Sequence, residues 1–287
     1  MADRRRRSPP TRPALNRVRW VTTAAEGWSA QLAEWGIPDE IVAQAPVSPW
    51  SHEVATFSVD DTLDRDGMSA RAAREVLPLH GGTVLDVGCG GGRSSVVLVP
   101  PAETLIGVDQ IEEMLRAYVD AARSAGVTAQ AVHGRWPDVA AVTPIADVVV
   151  CHHVFFNVAD AVPFATALTE HARLAVVVEI PVRHPLAGWN PAWKHFWDLD
   201  RPTGPTDADL VAVLEEAGFV PEVWHSHRTP LSRHSSDPST LLPAARRRLC
   251  LDPERDAELA DYLERYPIAF IDTVATLRWP GTATISV

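Results

Sequence analysis

A strand-like apolar run that leads directly into a glycine-rich turn limits the fold of this chain more than any other feature. Residues 84–95 read VLDVGCGGGRSS, and a helical pattern follows. Glycine lets the backbone approach a ligand closely, and the start of a helix directs free N–H groups at it. The spacing Gly88-x-Gly90-x-Gly92 departs from the G-x-G-x-x-G of dinucleotide sites, and no Gly-Lys-Ser/Thr of a P-loop follows. The turn therefore predicts a ligand site of neither kind.

Beyond residue 80, short apolar runs alternate with helical patterns, which indicates βαβ units around a parallel sheet. Continuous β-branched runs of this kind suit strands that are covered on both faces. The predicted strands span residues 83–88, 104–109, 127–134, 146–151, 173–180, 219–227 and 269–279. Helices are predicted after the glycine turn as far as residue 99, from 111 to Gly126, over 206–217 and from 252 to Pro267. The pattern predicts an α/β fold.

Three further segments accompany this sheet. Residues 1–19 hold seven arginines and predict a disordered basic tail. Residues 20–80 predict a helical N-terminal lid or extension, in which Trp28, Leu32 and Trp35 share one helical face. Residues 81–287 form the α/β domain, with cap insertions expected at about 182–205 and 229–265.

Composition excludes several classes of protein. A chain with 46% hydrophobic and 22% charged residues is not wholly disordered, and no apolar run approaches the ~20 residues that cross a bilayer. Seven of the 26 basic residues but only one of the 37 acidic residues lie in the tail, so the remainder carries a formal charge near −17. Such a field disfavours a nucleic-acid partner. Three cysteines without CxxC spacing predict a cytoplasmic setting.

The segment from Asp86 to Gly92 resembles the E/D-x-G-x-G-x-G first motif of the class I S-adenosylmethionine-dependent methyltransferases, and the resemblance extends over about residues 81–219 and the last strand. It implies a Rossmann-like sheet of seven mostly parallel strands whose last strand is antiparallel. It also implies S-adenosyl-L-methionine as cofactor and S-adenosyl-L-homocysteine as product. Asp109 stands where the family's acid binds the ribose hydroxyls, and Gln110 follows in the stretch that lines the adenine. The implied cofactor-binding residues are Asp86, Gly88, Gly90, Gly92, Asp109, Gln110, Arg135, Trp136 and His152.

The segment after the third strand departs from the family pattern. Where the family commonly places a Gly-Asp pair that meets the adenine amino group, this chain has Gly134-Arg135-Trp136. Stacking by Trp136 or a backbone contact from Arg135 are the expected substitutes, with Asp138 as a third. His152 belongs to the segment after the fourth strand, which in the family passes the methionine end of the cofactor.

Catalysis of methyl transfer requires an aligned acceptor, exclusion of water and, for an oxygen acceptor, a base near neutral pKa. Histidine suits that role. His153 is the first candidate because it lies nearest the expected methyl position, and His195 in the first insertion is the second. No carboxylate pair at ligand spacing accompanies His152 and His153, so no metal site is expected. Asn157 is followed by Val158 rather than by Pro-Pro-Tyr, which speaks against nucleic-acid amino or glutamine methylation.

The sequence therefore predicts methyl transfer to a small organic molecule, at oxygen rather than nitrogen. An RNA or protein methyltransferase that uses the arginine-rich tail is one alternative, and a catalytically silent methyltransferase-like binding protein is another. Trp189, Trp193 and Trp197 recur every four residues, and two interpretations of this stripe remain open. It forms either the core of a cap or an aromatic pocket over the cofactor. The oligomeric state is not predicted.

Overall fold

A seven-stranded sheet organises the protein, for which a computed structural model describes residues 22–50, 58–59, 63–228 and 238–283. The basic tail and residues 229–237 of the second insertion lie outside these ranges. The strands are β1 Gly82–Val87, β2 Ala102–Asp109, β3 Thr128–His133, β4 Ala146–His152, β5 Ala172–Pro181, β6 Glu222–His227 and β7 Thr273–Pro280. Their order is β3-β2-β1-β4-β5-β7-β6. The strands β1 to β5 pair in parallel and β7 runs antiparallel to both neighbours, which confirms the predicted fold class.

Helices of the described chain connect and flank these strands. They are α1 Ala24–Ala33, α2 Asp39–Val42, α3 Met68–Arg74, α4 Arg93–Val96, α5 Glu112–Ser124, α6 Ala161–His171, α7 Asn190–Trp197, α8 Asp207–Glu216, α9 Pro238–Arg248 and α10 Asp256–Arg265. Short 3₁₀ turns cover Ala140–Val142, Phe155–Asn157, Ala187–Trp189 and Pro253–Arg255. Thr206 caps α8, since Thr206 Oγ1 accepts from Asp209 N and Asp209 Oδ2 accepts from Thr206 N. The helix α4 ends at Val96, three residues before the predicted end at residue 99, and a turn follows as far as the prolines at 100 and 101.

The N-terminal extension divides between the two faces of the sheet. Helix α1 packs with α6 and α8 on one face, where Trp28 is fully buried and its Nε1 donates to Val158 O at 2.8 Å. Helix α3 packs with α4 and α5 on the other face. Of the predicted helical face, Trp28 is buried and Leu32 is partly buried on α1, whereas Trp35 is buried beyond the end of the helix. The extension therefore mainly covers the helices and strands on the two faces of the sheet. The residues of the extension that line the cavity described below lie at position 50 and within 63–70.

The cap is a second, smaller core made by α2, α7, α9 and α10. Its buried residues are Ile41, Trp189, Ala192, Trp193, Phe196, Ala245, Leu249, Cys250, Leu251, Leu259 and Tyr262. Trp197 is partly buried against this core and its Nε1 donates to Leu249 O at 2.7 Å. The interpretation of the tryptophan stripe as an aromatic pocket is therefore wrong. The stripe faces the neighbouring helices of the cap, so the alternative of cap packing holds.

Arg201 connects the cap to the residues that follow α1. Its guanidinium lies 5.4 Å from the ring centroid of Trp35 and 5.3 Å from that of Trp193, and it donates to Gly36 O at 2.7 Å. Trp35 in turn stacks on His184 with ring centroids 3.8 Å apart. Within the described ranges, no helix has both the length and the apolar character needed to cross a membrane.

Candidate active site

A cavity of about 910 Å³ opens at the carboxyl edge of the sheet. It lies above β1, between β2 on one side and β4 on the other, where successive connections leave in opposite directions. Ligands of open α/β sheets bind at such switch points because the loops diverge there. Small-molecule sites occupy roughly 300–1,000 Å³, so this cavity has room for a nucleoside cofactor and an acceptor.

The glycine turn forms the wall of the cavity next to β1. Gly88 and Gly90 line the cavity and have positive φ, +71° and +50°, which favours glycine at both positions. A Cβ at position 88 would lie 2.4 Å from Val154 Cγ2, so the turn also depends on the close approach of the segment after β4. Gly92, at φ +93°, begins α4 and does not belong to the described lining.

Asp109 ends β2 and faces the glycine turn across the cavity wall. Its Oδ2 accepts from Gly90 N at 3.0 Å and its Oδ1 accepts from Ile111 N at 2.9 Å. An ionised carboxylate offers about four lone-pair sites, so two remain for a ligand. The structure thus brings together Gly88, Gly90 and Asp109, which the sequence places about twenty residues apart.

Asp86 lies beneath the turn rather than in the cavity lining. It is fully buried in β1, and its Oδ2 accepts from Ser94 Oγ at 2.6 Å. Burial raises the pKa of Asp86 to about 6, although hydrogen bonds from Ser94 and Ser95 oppose the rise. The carboxyl group therefore contacts Ser94 beneath the glycine turn rather than the cavity. Its Oδ1 has no hydrogen-bond partner among the described residues.

Gln110, Arg135 and Trp136 line the end of the cavity next to β2 and β3, as does Asp138. Arg135 and Gln110 are exposed, whereas Trp136 is buried and packs edge-on against His171 with ring centroids 4.8 Å apart. Its indole Nε1 has no partner among the described residues. All three predicted adenine-side residues are therefore in reach of one ligand.

The two adjacent histidines at the end of β4 both line the cavity. Burial lowers the pKa of His152 to about 4, which keeps this imidazole neutral at pH 7, and its Nε2 has no partner in the described chain. His153 has a left-handed backbone with φ 61°, and its Nε2 lies 3.0 Å from Glu179 Oε1. The structure does not bring His195 to the cavity: it lies on α7 in the cap, about half exposed, against Glu258 and Tyr262.

Sequence reasoning missed Glu179 and Arg228, which contact His153, and Ser69, which contacts Glu179. Glu179 lies near the end of β5, Arg228 directly after β6 and Ser69 in α3, and all three line the cavity. One signal was present, because Glu179 is the only acid in the apolar run of the fifth strand. Nothing in the local sequence marked Ser69 or Arg228.

The residues fit an S-adenosylmethionine-like ligand. Glycines at 88 and 90 let the backbone approach a nucleoside, the Asp109 carboxylate retains free lone pairs, and buried polar atoms such as His152 Nε2 lack partners, as is typical of a site completed by ligand or water. The described residues contain no group of three or more His, Cys, Asp or Glu side chains arranged to hold a metal ion.

Comparison with known proteins agrees with this geometry. Residues 84–175 match the family model described as a methyltransferase domain. A ubiquinone biosynthesis O-methyltransferase of Rhizobium leguminosarum bv. trifolii (strain WSM2304) is 28% identical over 146 residues, which cover 51% of this chain and 56% of that protein. A protein of the same name from Methylobacterium nodulans (strain LMG 21967 / CNCM I-2342 / ORS 2060) is 29% identical over 165 residues, or 52% of this chain and 64% of that protein. The chain thus spans less than two thirds of the length of these curated relatives.

A solved structure supports the fold. The S-adenosylmethionine-dependent methyltransferase from Thiobacillus denitrificans in complex with S-adenosyl-L-homocysteine has a TM-score of 0.51 and 16% identity, over 86% of this chain and 99% of that chain. An identity this low speaks for the fold alone. Together with the sheet order, it shows that the chain has the Rossmann-like fold of these enzymes, within which residues 84–175 match a methyltransferase domain.

Proposed function

We propose that this protein transfers the methyl group of S-adenosylmethionine to a hydroxyl group of a small organic molecule. The observation that carries the proposal is the Asp109 carboxylate beside the Gly88–Gly90 turn, in a cavity large enough for two ligands. The carboxylate binds the ribose hydroxyls in this proposal, while the glycine turn leaves space for the amino-acid part. When bound, the cofactor supplies a methyl group on a positively charged sulfur.

The charge of the cavity supports a cationic ligand. Its lining carries five carboxylates, at Asp64, Asp109, Asp138, Asp160 and Glu179, and three guanidinium groups, at Arg93, Arg135 and Arg228. Excess negative charge in a cleft with low-dielectric walls attracts and stabilises a cation. A sulfonium ion suits this field better than a polyphosphate does.

Two observations favour oxygen as the atom that accepts the methyl group. His153 lies in the lining as an imidazole that can take the proton of a hydroxyl group. The two curated relatives, although only 28% and 29% identical, are both named O-methyltransferases. His153 is therefore the proposed base, and the cavity rather than the cap defines the acceptor.

Incubation of the full chain with methyl-labelled S-adenosylmethionine and a set of small phenols, carboxylic acids and amines tests the proposal. Product is detected by mass spectrometry, and Asp109→Asn is the control that impairs cofactor binding. We expect methylated hydroxyl compounds and S-adenosylhomocysteine in equal amounts. Transfer to RNA or protein alone, or cofactor binding without transfer to any acceptor, would contradict the proposal.

A further inference from the structure

Glu179 is a buried carboxylate whose every oxygen is engaged. Its Oε2 accepts from Ser69 Oγ at 2.7 Å, and its Oε1 accepts from Arg228 Nη1 at 2.8 Å and lies 3.0 Å from His153 Nε2. Burial opposes its charge, but the hydrogen bond from His153 and the positive charge of Arg228 help to outweigh that effect and lower the pKa of the carboxyl group. Glu179 is therefore an ionised acceptor next to the proposed base.

The same residue also holds the backbone of His153. The His153 N–H donates to Glu179 O at 2.8 Å, while the backbone of His153 is left-handed with φ 61°. A non-glycine residue keeps such a conformation only where its surroundings fix it, and such residues cluster at functional sites. One residue thus fixes both the main chain and the ring of His153.

The hydrogen-bond chemistry of this cluster selects one tautomer of the imidazole. An ionised carboxylate only accepts hydrogen bonds, so its contact with Nε2 requires a proton on that nitrogen. Arg228 Nη1 also contacts His153 Nε2, and as a donor it would favour the opposite tautomer. Arg228 Nη1 also donates to Glu179 Oε1, and the inference below is that the charged carboxylate outweighs the contact of Arg228 with Nε2.

We infer that Glu179 is the positioning residue of this site: held by Ser69 and Arg228, it keeps the proton of His153 on Nε2 and leaves Nδ1 as the basic atom. The inference rests on the proposed function. In the reaction, the acceptor O–H proton moves to Nδ1, an oxygen lone pair forms the bond to the methyl carbon, and the S–CH₃ electron pair stays on sulfur as the thioether. The carboxylate of Glu179 then neighbours the imidazolium that forms.

Long-range ¹⁵N–¹H NMR spectra of the full chain, labelled with ¹⁵N-histidine and recorded in alkaline buffer, test the inference without an acceptor. Protonated and unprotonated ring nitrogens differ in ¹⁵N shift, and the His153 signals are those lost in His153→Gln. We expect the Nε2–H tautomer in the wild type, in an excess of about tenfold or more, as expected of one hydrogen bond to a charged group. Glu179→Gln keeps an acceptor oxygen and should keep this tautomer. Glu179→Ala lets Arg228 donate to Nε2 and should reverse it.

An Nδ1–H tautomer in the wild type, or an unchanged tautomer in Glu179→Ala, would overturn the inference. An Nδ1–H tautomer in the wild type would refute the inference even if the alanine variant fails to fold. Calorimetric titration of the wild type with S-adenosylhomocysteine tests the proposed function separately. Absence of binding would refute that function, while the tautomer result would still report on Glu179.

Discussion

Replacement of Asp109 by alanine should weaken the binding of S-adenosylhomocysteine by about 1–3 kcal/mol, because it removes the charged acceptor of the hydrogen bonds that the ribose hydroxyls donate. Each carboxylate oxygen already accepts one backbone N–H, from Gly90 at 3.0 Å and from Ile111 at 2.9 Å. The lone pairs that remain can serve two hydroxyl groups of the ligand, and water replaces part of the loss in the variant. At 1.4 kcal/mol for each factor of ten, the dissociation constant should rise about 5- to 150-fold.

Isothermal titration calorimetry with S-adenosylhomocysteine measures this effect. Asp120→Ala is the matched control, since it removes one negative charge from an exposed site on α5 where the carboxylate pairs with Arg123. It should leave the affinity unchanged. Because Asp109 also anchors the turn, thermal unfolding of the free variants must be compared. Equal affinities of wild type, Asp109→Ala and Asp120→Ala would refute the assignment of the carboxylate to the cofactor.

Three further predictions concern the turn, the pH dependence of stability and the packing of α1. Gly88→Ala should abolish S-adenosylhomocysteine binding in calorimetry. Gly81→Ala is the control and should not, because position 81 has the same φ of +71° but no atom within 4 Å of the new Cβ. If the added Val154→Ala substitution restores binding, the contact between the new Cβ and Val154 is the cause of the loss. Burial lowers the pKa of His184 from 6.5 to about 3, so the unfolded chain takes up a proton that the folded protein excludes and stability is lost as the pH falls below 6.5. His184→Phe should reduce the loss of unfolding free energy between pH 8 and pH 5, measured in urea, by about 2 kcal/mol, and an unchanged loss would exclude this histidine as its source. Trp28→Ala should lower the unfolding free energy by about 3–5 kcal/mol because the residue is fully buried, and a loss below 1 kcal/mol would show that α1 contributes little.

Strands were predictable because both faces of this sheet are covered. The runs in β1, β4 and β5 are mainly apolar and buried, and their length and β-branched residues identify them without any knowledge of the neighbouring strands. Helix α6 was missed, although Ala161, Phe164, Ala165 and Leu168 have the i, i+3, i+4, i+7 spacing of one helical face and are all buried.

About half of the candidate site could be predicted from the local sequence. The turn and Asp109 belong to one βαβ unit, so spacing alone places them together. The surroundings of His153 arise only from tertiary structure, since Glu179 is 110 residues from Ser69 and 49 from Arg228 in the chain. The tryptophan stripe illustrates the same limit: periodicity predicts a shared face, but the cap topology determines that this face meets α9 and α10 rather than the cavity.

A crystal structure of the protein with S-adenosylhomocysteine tests the central claim most directly. We predict density for the nucleoside between the Gly88–Gly90 turn and Asp109, with the ribose hydroxyls on the carboxylate and the sulfur on the side of His153. A ligand bound elsewhere would contradict the account. So would a structure at saturating ligand in which protein side chains fill the space beside the Gly88–Gly90 turn.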